Sequence, residues 1–115
     1  MFDAGRIRSN IKVQDERQEQ ALTRYEQTVL RALEDVENSL VAWSREQERR
    51  GSLAEAVDAG RQSLSMSTEL YTRGLVNFLD VIVVAQSLIN AENRLAESEA
   101  AVSSNLVALY KALGG

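Results

Sequence analysis

The chain has 115 residues, enough for one domain at most, and contains no proline, cysteine or histidine. Those absences exclude a disulfide framework, thiolate chemistry and the ordinary zinc or nucleophile–base sites. Its 13 basic and 17 acidic residues are interspersed rather than blocked, which argues against a nucleic-acid partner and for solvated helix faces.

Ala, Leu, Glu, Arg, Gln and Ser dominate, as in long helices and coiled coils, and the lack of proline favours uninterrupted helix. No stretch approaches the ~20 apolar residues of a membrane span, and Met1 to Arg6 carries no apolar leader. The expectation is a chain that does not insert into a membrane by itself. The glycines are scattered and form no phosphate-cradling loop, so no cofactor is expected. The densest acidic group, Glu34, Asp35 and Glu37, reads as a solvated face, and no enzymatic activity is expected.

In chain order, Asp3 caps a helix entering at Ala4 to Arg6. Apolar residues then recur every seven positions at Leu22, Val29, Val36, Trp43, Val57, Leu64 and Tyr71, and a second row at Leu33, Leu40 and Ala54 follows four residues after members of the first. Arg50 interrupts the first row, within a run from Ser44 to Ser52 that holds no apolar residue. Gly51 lowers helix propensity there, and Ser52 to Glu55 spells a capping box, so a kink or a break giving three helices is an alternative to one continuous helix. Gly60 is a further weak point.

At Leu70 to Val81 one helix ends and another begins. Gly74 suits the left-handed stop of a Schellman motif with Leu75 next, and Asn77 with Asp80 three residues on suits a helix start. A link this short folds the helices back on each other. Beyond it, Val81, Leu88, Leu95, Val102 and Leu109 repeat every seven residues, with Val84, Ala91 and Ser98 three residues later. The first two turns of this helix are apolar almost all round, which calls for more than one covering neighbour. Gly114 and Gly115 end it. The expected fold is all-α, a long antiparallel coiled-coil hairpin with no β-barrel: one domain over residues 1–115, with helices at about 5–73 and 78–113 and a tip at 74–77.

Four blocks carry a family resemblance: Phe2-Asp3-Ala4-Gly5-Arg6; Tyr25 to Glu37; Tyr71-x-x-Gly74-x-x-x-Phe78-Leu79-Asp80-Val81 with Ala85-Gln86; and Leu109 to Gly115. In this order they resemble the outer membrane factors of tripartite efflux systems, the TolC-like channel proteins. The chain looks like the periplasmic helical hairpin of that family's second repeat. The resemblance implies a non-enzymatic segment of the periplasmic tunnel wall, in a trimer whose tip docks a periplasmic adaptor protein, and it implies a periplasmic location for this portion of an outer membrane protein. It gives Arg73, Gly74 and Leu75 the docking role and places Tyr71 and Asp80 at the tunnel aperture. The residues alone allow Gly74 as a plain helix stop, Asp80 as a cap and Tyr71 as a seam residue. Two family positions that carry charge in some members are Val76 and Val83 here, which puts a charged latch in doubt. The alternative reading is a free-standing coiled-coil oligomerisation or scaffold protein; a reading frame continuing into barrel strands would separate the two.

The helices differ in length: residues 77–113 would span roughly 55 Å and residues 6–73 roughly 100 Å at 1.5 Å per residue. The apolar positions Leu22, Tyr25, Val29 and Leu33 therefore need a partner outside this hairpin, and the isolated chain is expected to self-associate as a dimer or other bundle. Sedimentation equilibrium at micromolar concentration is expected to show an oligomer. A monomer would instead mean that the first helix folds back on itself. In an oligomer, Leu33→Asp with Leu40→Asp should dissociate the chains while leaving much of the helix intact.

Overall fold

The structure, a computed structural model, describes residues 2–115, with side chains from Ala4 onward. It consists of two helices, α1 (Phe2–Thr72) and α2 (Phe78–Ala112), and among the described residues there is no strand. The chain divides into two compact units, Met1–Glu37 and Asn38–Gly115. The expected cap at Asp3 lies outside the described side chains.

Within the first unit the chain is helical from Phe2 onward, and its large apolar side chains Ile7, Ile11, Leu22, Tyr25, Val29, Leu30 and Leu33 are all exposed. A single helix cannot bury its own stripe, so these residues show the pattern without the packing that such a pattern serves.

The second unit is an antiparallel hairpin. Residues 38–72 of α1 match α2 residue for residue in length. Contacts between the helices run in opposite directions along the chain, from Ala42 with Asn105 and Glu46 with Ser98 to Arg61 with Glu92 and Tyr71 with Phe78. Val57 and Leu88 form the apolar core at 2% and 8% exposure, and full burial of such side chains contributes about 1.5–3 kcal/mol each. On α2 the inward rows are those the heptad spacing predicts: Val81, Leu88, Leu95, Val102 and Leu109, and Val84, Ala91 and Ser98, continued by Asn105 and Ala112.

On α1 the first row holds at Trp43, Val57 and Leu64, but the second row differs from the expected one. The half-buried residues are Ser39, Glu46, Leu53, Gly60 and Ser67, three after the first row, whereas Leu33 and Leu40 stand 60% and 49% exposed. Ala54 alone of the expected row is half-buried. The cause is the closeness of the two helices. A Cβ built on Gly60 would lie 3.1 Å from Leu88 Cδ1, so the row facing α2 is one of mostly small or polar residues, with Leu53 its one large apolar member.

Gly60 is thus a packing residue rather than a weak point. The break considered at Gly51 does not occur either, since α1 runs unbroken through it. Glycine in a helix interior costs only about 1 kcal/mol against alanine, and pairing with α2 on both sides of Gly51 outweighs that.

The link between the helices is a complete Schellman stop. Gly74 has φ +77°, its N–H donates to the Tyr71 carbonyl at 2.9 Å, and the Leu75 N–H donates to the Leu70 carbonyl at 2.9 Å. Gly114 (φ +88°) closes α2 in the same way, with Gly115 donating to Tyr110. Asn77 holds the N-cap position in extended backbone (φ −77°, ψ 155°), but its side chain makes no capping hydrogen bond, and the expected box with Asp80 is not formed. At an exposed helix end solvent can serve the first N–H groups, so nothing forces the side chains inward. The Asp80 N–H itself donates to the Asn77 carbonyl at 3.1 Å.

Gly51 and Gly74 should respond oppositely to alanine. A Cβ at Gly51 meets nothing within 4 Å in a regular helix, so Gly51→Ala is expected to stabilise by about 0.5–1 kcal/mol. Gly74→Ala must hold alanine at positive φ and is expected to cost about 1 kcal/mol or more. Thermal melting at one fixed protein concentration checks both, and equal shifts of one sign would contradict the helical and left-handed assignments.

Candidate functional site at the hairpin tip

Tyr71, Arg73, Gly74, Leu75 and Asp80 all sit at one end of the second unit, on the last turn of α1, the link and the first turn of α2. Local chemistry sets this arrangement: the positive-φ glycine stops α1, five residues (73–77) carry the chain from Thr72 to Phe78, and Phe78 opens α2. A Cβ on Gly74 would meet open space, so the backbone there is uncovered and accessible to another chain's close approach.

Arg73 is drawn back along α1, its Nη2 2.8 Å from Glu69 Oε1, in an i,i+4 pair with both side chains about two-thirds exposed. Such a pair is worth a few tenths of a kcal/mol and mainly orients the guanidinium. Asp80 is exposed, and none of the side-chain hydrogen bonds or ion pairs among the described residues involves it. It lies in the first turn of α2, where the helix dipole favours a carboxylate. Tyr71 is 46% exposed and packs its ring on Phe78 across the link, centroids 5.3 Å apart and planes tilted by 53°. This geometry suits an aromatic pair worth about 0.5–1.5 kcal/mol beyond its area. The sequence reading placed Phe78 in the motif and missed its role as the partner that braces Tyr71, a contact that exists only once the turn sets the two rings side by side.

Around these residues the surface is apolar. From Gly74 to Ala91 the only charge is Asp80, and Leu75, Phe78, Leu79 and Val83 are each more than half exposed. The stretch from the link through the first turns of α2 therefore presents one carboxylate in a largely apolar surround, beside the Arg73–Glu69 pair. It offers no nucleophile–base pair, and among the described residues no group of three or more acidic, His or Cys side chains is placed to hold a metal ion. What it can do is meet another protein, through exposed backbone at Gly74 and the apolar side chains beside it.

The family model described as outer membrane efflux protein matches residues 1–115. Relatives include the probable outer membrane lipoprotein SilC of Salmonella typhimurium, 28% identical over 115 residues, and the cation efflux system protein CusC of Escherichia coli K12, 30% identical over 122 residues. The pyoverdine export outer membrane protein OpmQ of Pseudomonas putida KT2440 is 30% identical over 115 residues. In each case the whole of this chain is covered, and it spans about a quarter of the relative: 25%, 25% and 24%. No solved structure matches. The chain belongs to the outer membrane efflux protein family.

Proposed function

We propose that this chain is a non-enzymatic segment of the periplasmic α-helical tunnel of an outer membrane efflux channel. In this reading residues 1–115 serve as one hairpin domain of the tunnel wall, within a homo-oligomer that is a trimer for the full-length protein, and the tip docks a periplasmic adaptor protein.

The observation that carries the reading is a second apolar row on each helix of the second unit. On α2 it comprises Phe78, Ile82, Ile89, Ala96, Ala100 and Val107, all exposed and spaced by four and seven residues. On α1 it comprises Ala56, Ala59, Ser63, Met66 and Leu70, also exposed, at alternating spacings of three and four. A helix in a lone hairpin needs one apolar row, whereas a helix in a continuous wall has a neighbour on each side and needs two. The relatives' names span cations and pyoverdine, which fits a conduit segment common to different cargoes.

At the tip, Arg73, Gly74 and Leu75 form the docking surface, and Tyr71 and Asp80 lie at the aperture. In a trimer the Asp80 carboxylates would form a ring of like charge, attractive to cations.

Docking is tested in the full-length channel with Leu75→Asp, which puts a charge on an exposed side chain without touching the positive-φ glycine. Adaptor binding should weaken at least about tenfold, or about 1.4 kcal/mol, because the aspartate would place an unpaired charge within the contact. Arg17→Ala, on the first unit, should leave binding unchanged. Unaltered binding by Leu75→Asp would remove the tip from the docking surface. For the aperture, Asp80→Asn in planar bilayers is expected to lower the preference for cations over anions; an unchanged preference would place Asp80 away from the conducting path.

A further inference from the structure

The hairpin seam contains one polar layer, between Ala42–Arg49 of α1 and Ser98–Asn105 of α2. Ser98 has no exposed surface, and its hydroxyl donates to Glu46 Oε1 at 2.7 Å. The same oxygen accepts from Arg49 Nη1 at 3.1 Å, and the Glu46 side chain is 17% exposed. Asn105 Nδ2 approaches the Ala42 carbonyl at 3.4 Å.

We infer that the Glu46–Ser98 hydrogen bond is a register stop, made in the native pairing and lost when α2 slips by one heptad in either direction. Both helices repeat their apolar residues every seven positions, so a slip of seven exchanges one apolar layer for another: Gly60, now against Leu88, would meet Val81. Apolar layers of this kind discriminate poorly between registers, and a buried polar residue is the usual device that does. In the slip that brings Ala91 opposite Glu46, Ser98 would face Ser39, and the half-buried carboxylate would exchange the Ser98 hydroxyl for a methyl group, with Arg49 left as its partner. In the opposite slip Glu46 would meet Asn105 and Ser98 would face Leu53, leaving the buried hydroxyl without its acceptor, so each slip sets one member of the pair against an apolar side chain. The tip also holds the register, through Gly74; the polar layer does so independently, at the other end of the hairpin.

The chain has no cysteine, which makes disulfide trapping a clean readout. The tip is first freed by inserting a flexible eight-residue Gly/Ser segment after Gly74 in the 115-residue chain. Arg61→Cys with Glu92→Cys, whose native side chains lie 3.7 Å apart, reports the native register, and Arg61→Cys with Ala85→Cys reports the slipped one. Intrachain disulfides are read on non-reducing gels. With Glu46 and Ser98 in place, the 61–85 crosslink should be at background. In Glu46→Leu with Ser98→Ala it should rise at least fivefold relative to the 61–92 crosslink, and Arg61→Cys with Glu99→Cys, reporting the opposite slip, should rise as well. Ser98→Ala alone keeps the seam volume and should give a smaller rise in the same direction; it is the deciding variant should the double variant lose helical circular dichroism. The proposal is overturned if 61–85 stays at background in these variants, or if it is already prominent with Glu46 and Ser98 intact.

Discussion

The second unit depends on how closely α1 and α2 approach. At Gly60 the absence of a side chain lets Leu88 lie against the α1 backbone, and the neighbouring positions of the same row, Ser67, Leu53, Glu46 and Ser39, are mostly short or polar. A close seam has little volume to fill, so the apolar core reduces to Val57 and Leu88 with half-buried residues around them. Two consequences follow. Burial within the hairpin is small for a chain of this length, and specificity cannot come from bulky interlocking side chains. It comes from shape at Gly60, from backbone hydrogen bonds at the Gly74 stop and from the polar layer at Glu46 and Ser98.

This explains why one helix was legible in the sequence and the other only half so. On α2 both seam rows are largely apolar, Val81–Leu88–Leu95 and Val84–Ala91, and hydrophobic spacing finds them directly. On α1 the second row is Ser39, Glu46, Leu53, Gly60 and Ser67, in which Leu53 is the only large apolar residue, so hydrophobic spacing favours Leu33, Leu40 and Ala54, one position round the helix. Those leucines are apolar for another reason: they lie on a face that the hairpin leaves open. A glycine at heptad spacing was the clue, and it was read as weakness instead of contact. Gly51, of identical composition and with nothing within 4 Å, shows that only the partner's position tells the two apart.

The tip divides along the same line. The glycine stop was legible because its cause is the backbone of one residue, and Gly74 has the positive φ and both hydrogen bonds of the motif. The capping box was not realised because a side-chain cap competes with solvent, and at an exposed end solvent suffices. The Tyr71–Phe78 contact was illegible because it needs the turn geometry before the two rings are neighbours. Site residues defined by backbone conformation could thus be placed from sequence, and those defined by side-chain partners could not.

A thin seam and two outward apolar rows are parts of one physical arrangement. A hairpin that buried all its apolar surface between its own helices would have large residues inward and a polar exterior, and would be stable and solitary. Here the inward α1 row is mostly small or polar while Met66, Leu70, Ile82 and Ile89 point elsewhere. Apolar burial still available to the chain therefore lies outside the contact it makes with itself, and association with a further chain would add to its stability. Under that condition the pairing of α1 with α2 has to be fixed by directional contacts before neighbours arrive, because the outward rows are heptads as well and would reward several registers alike. The buried hydroxyl of Ser98 and the left-handed Gly74 supply that direction at opposite ends of the hairpin, each at a point where hydrophobic packing cannot.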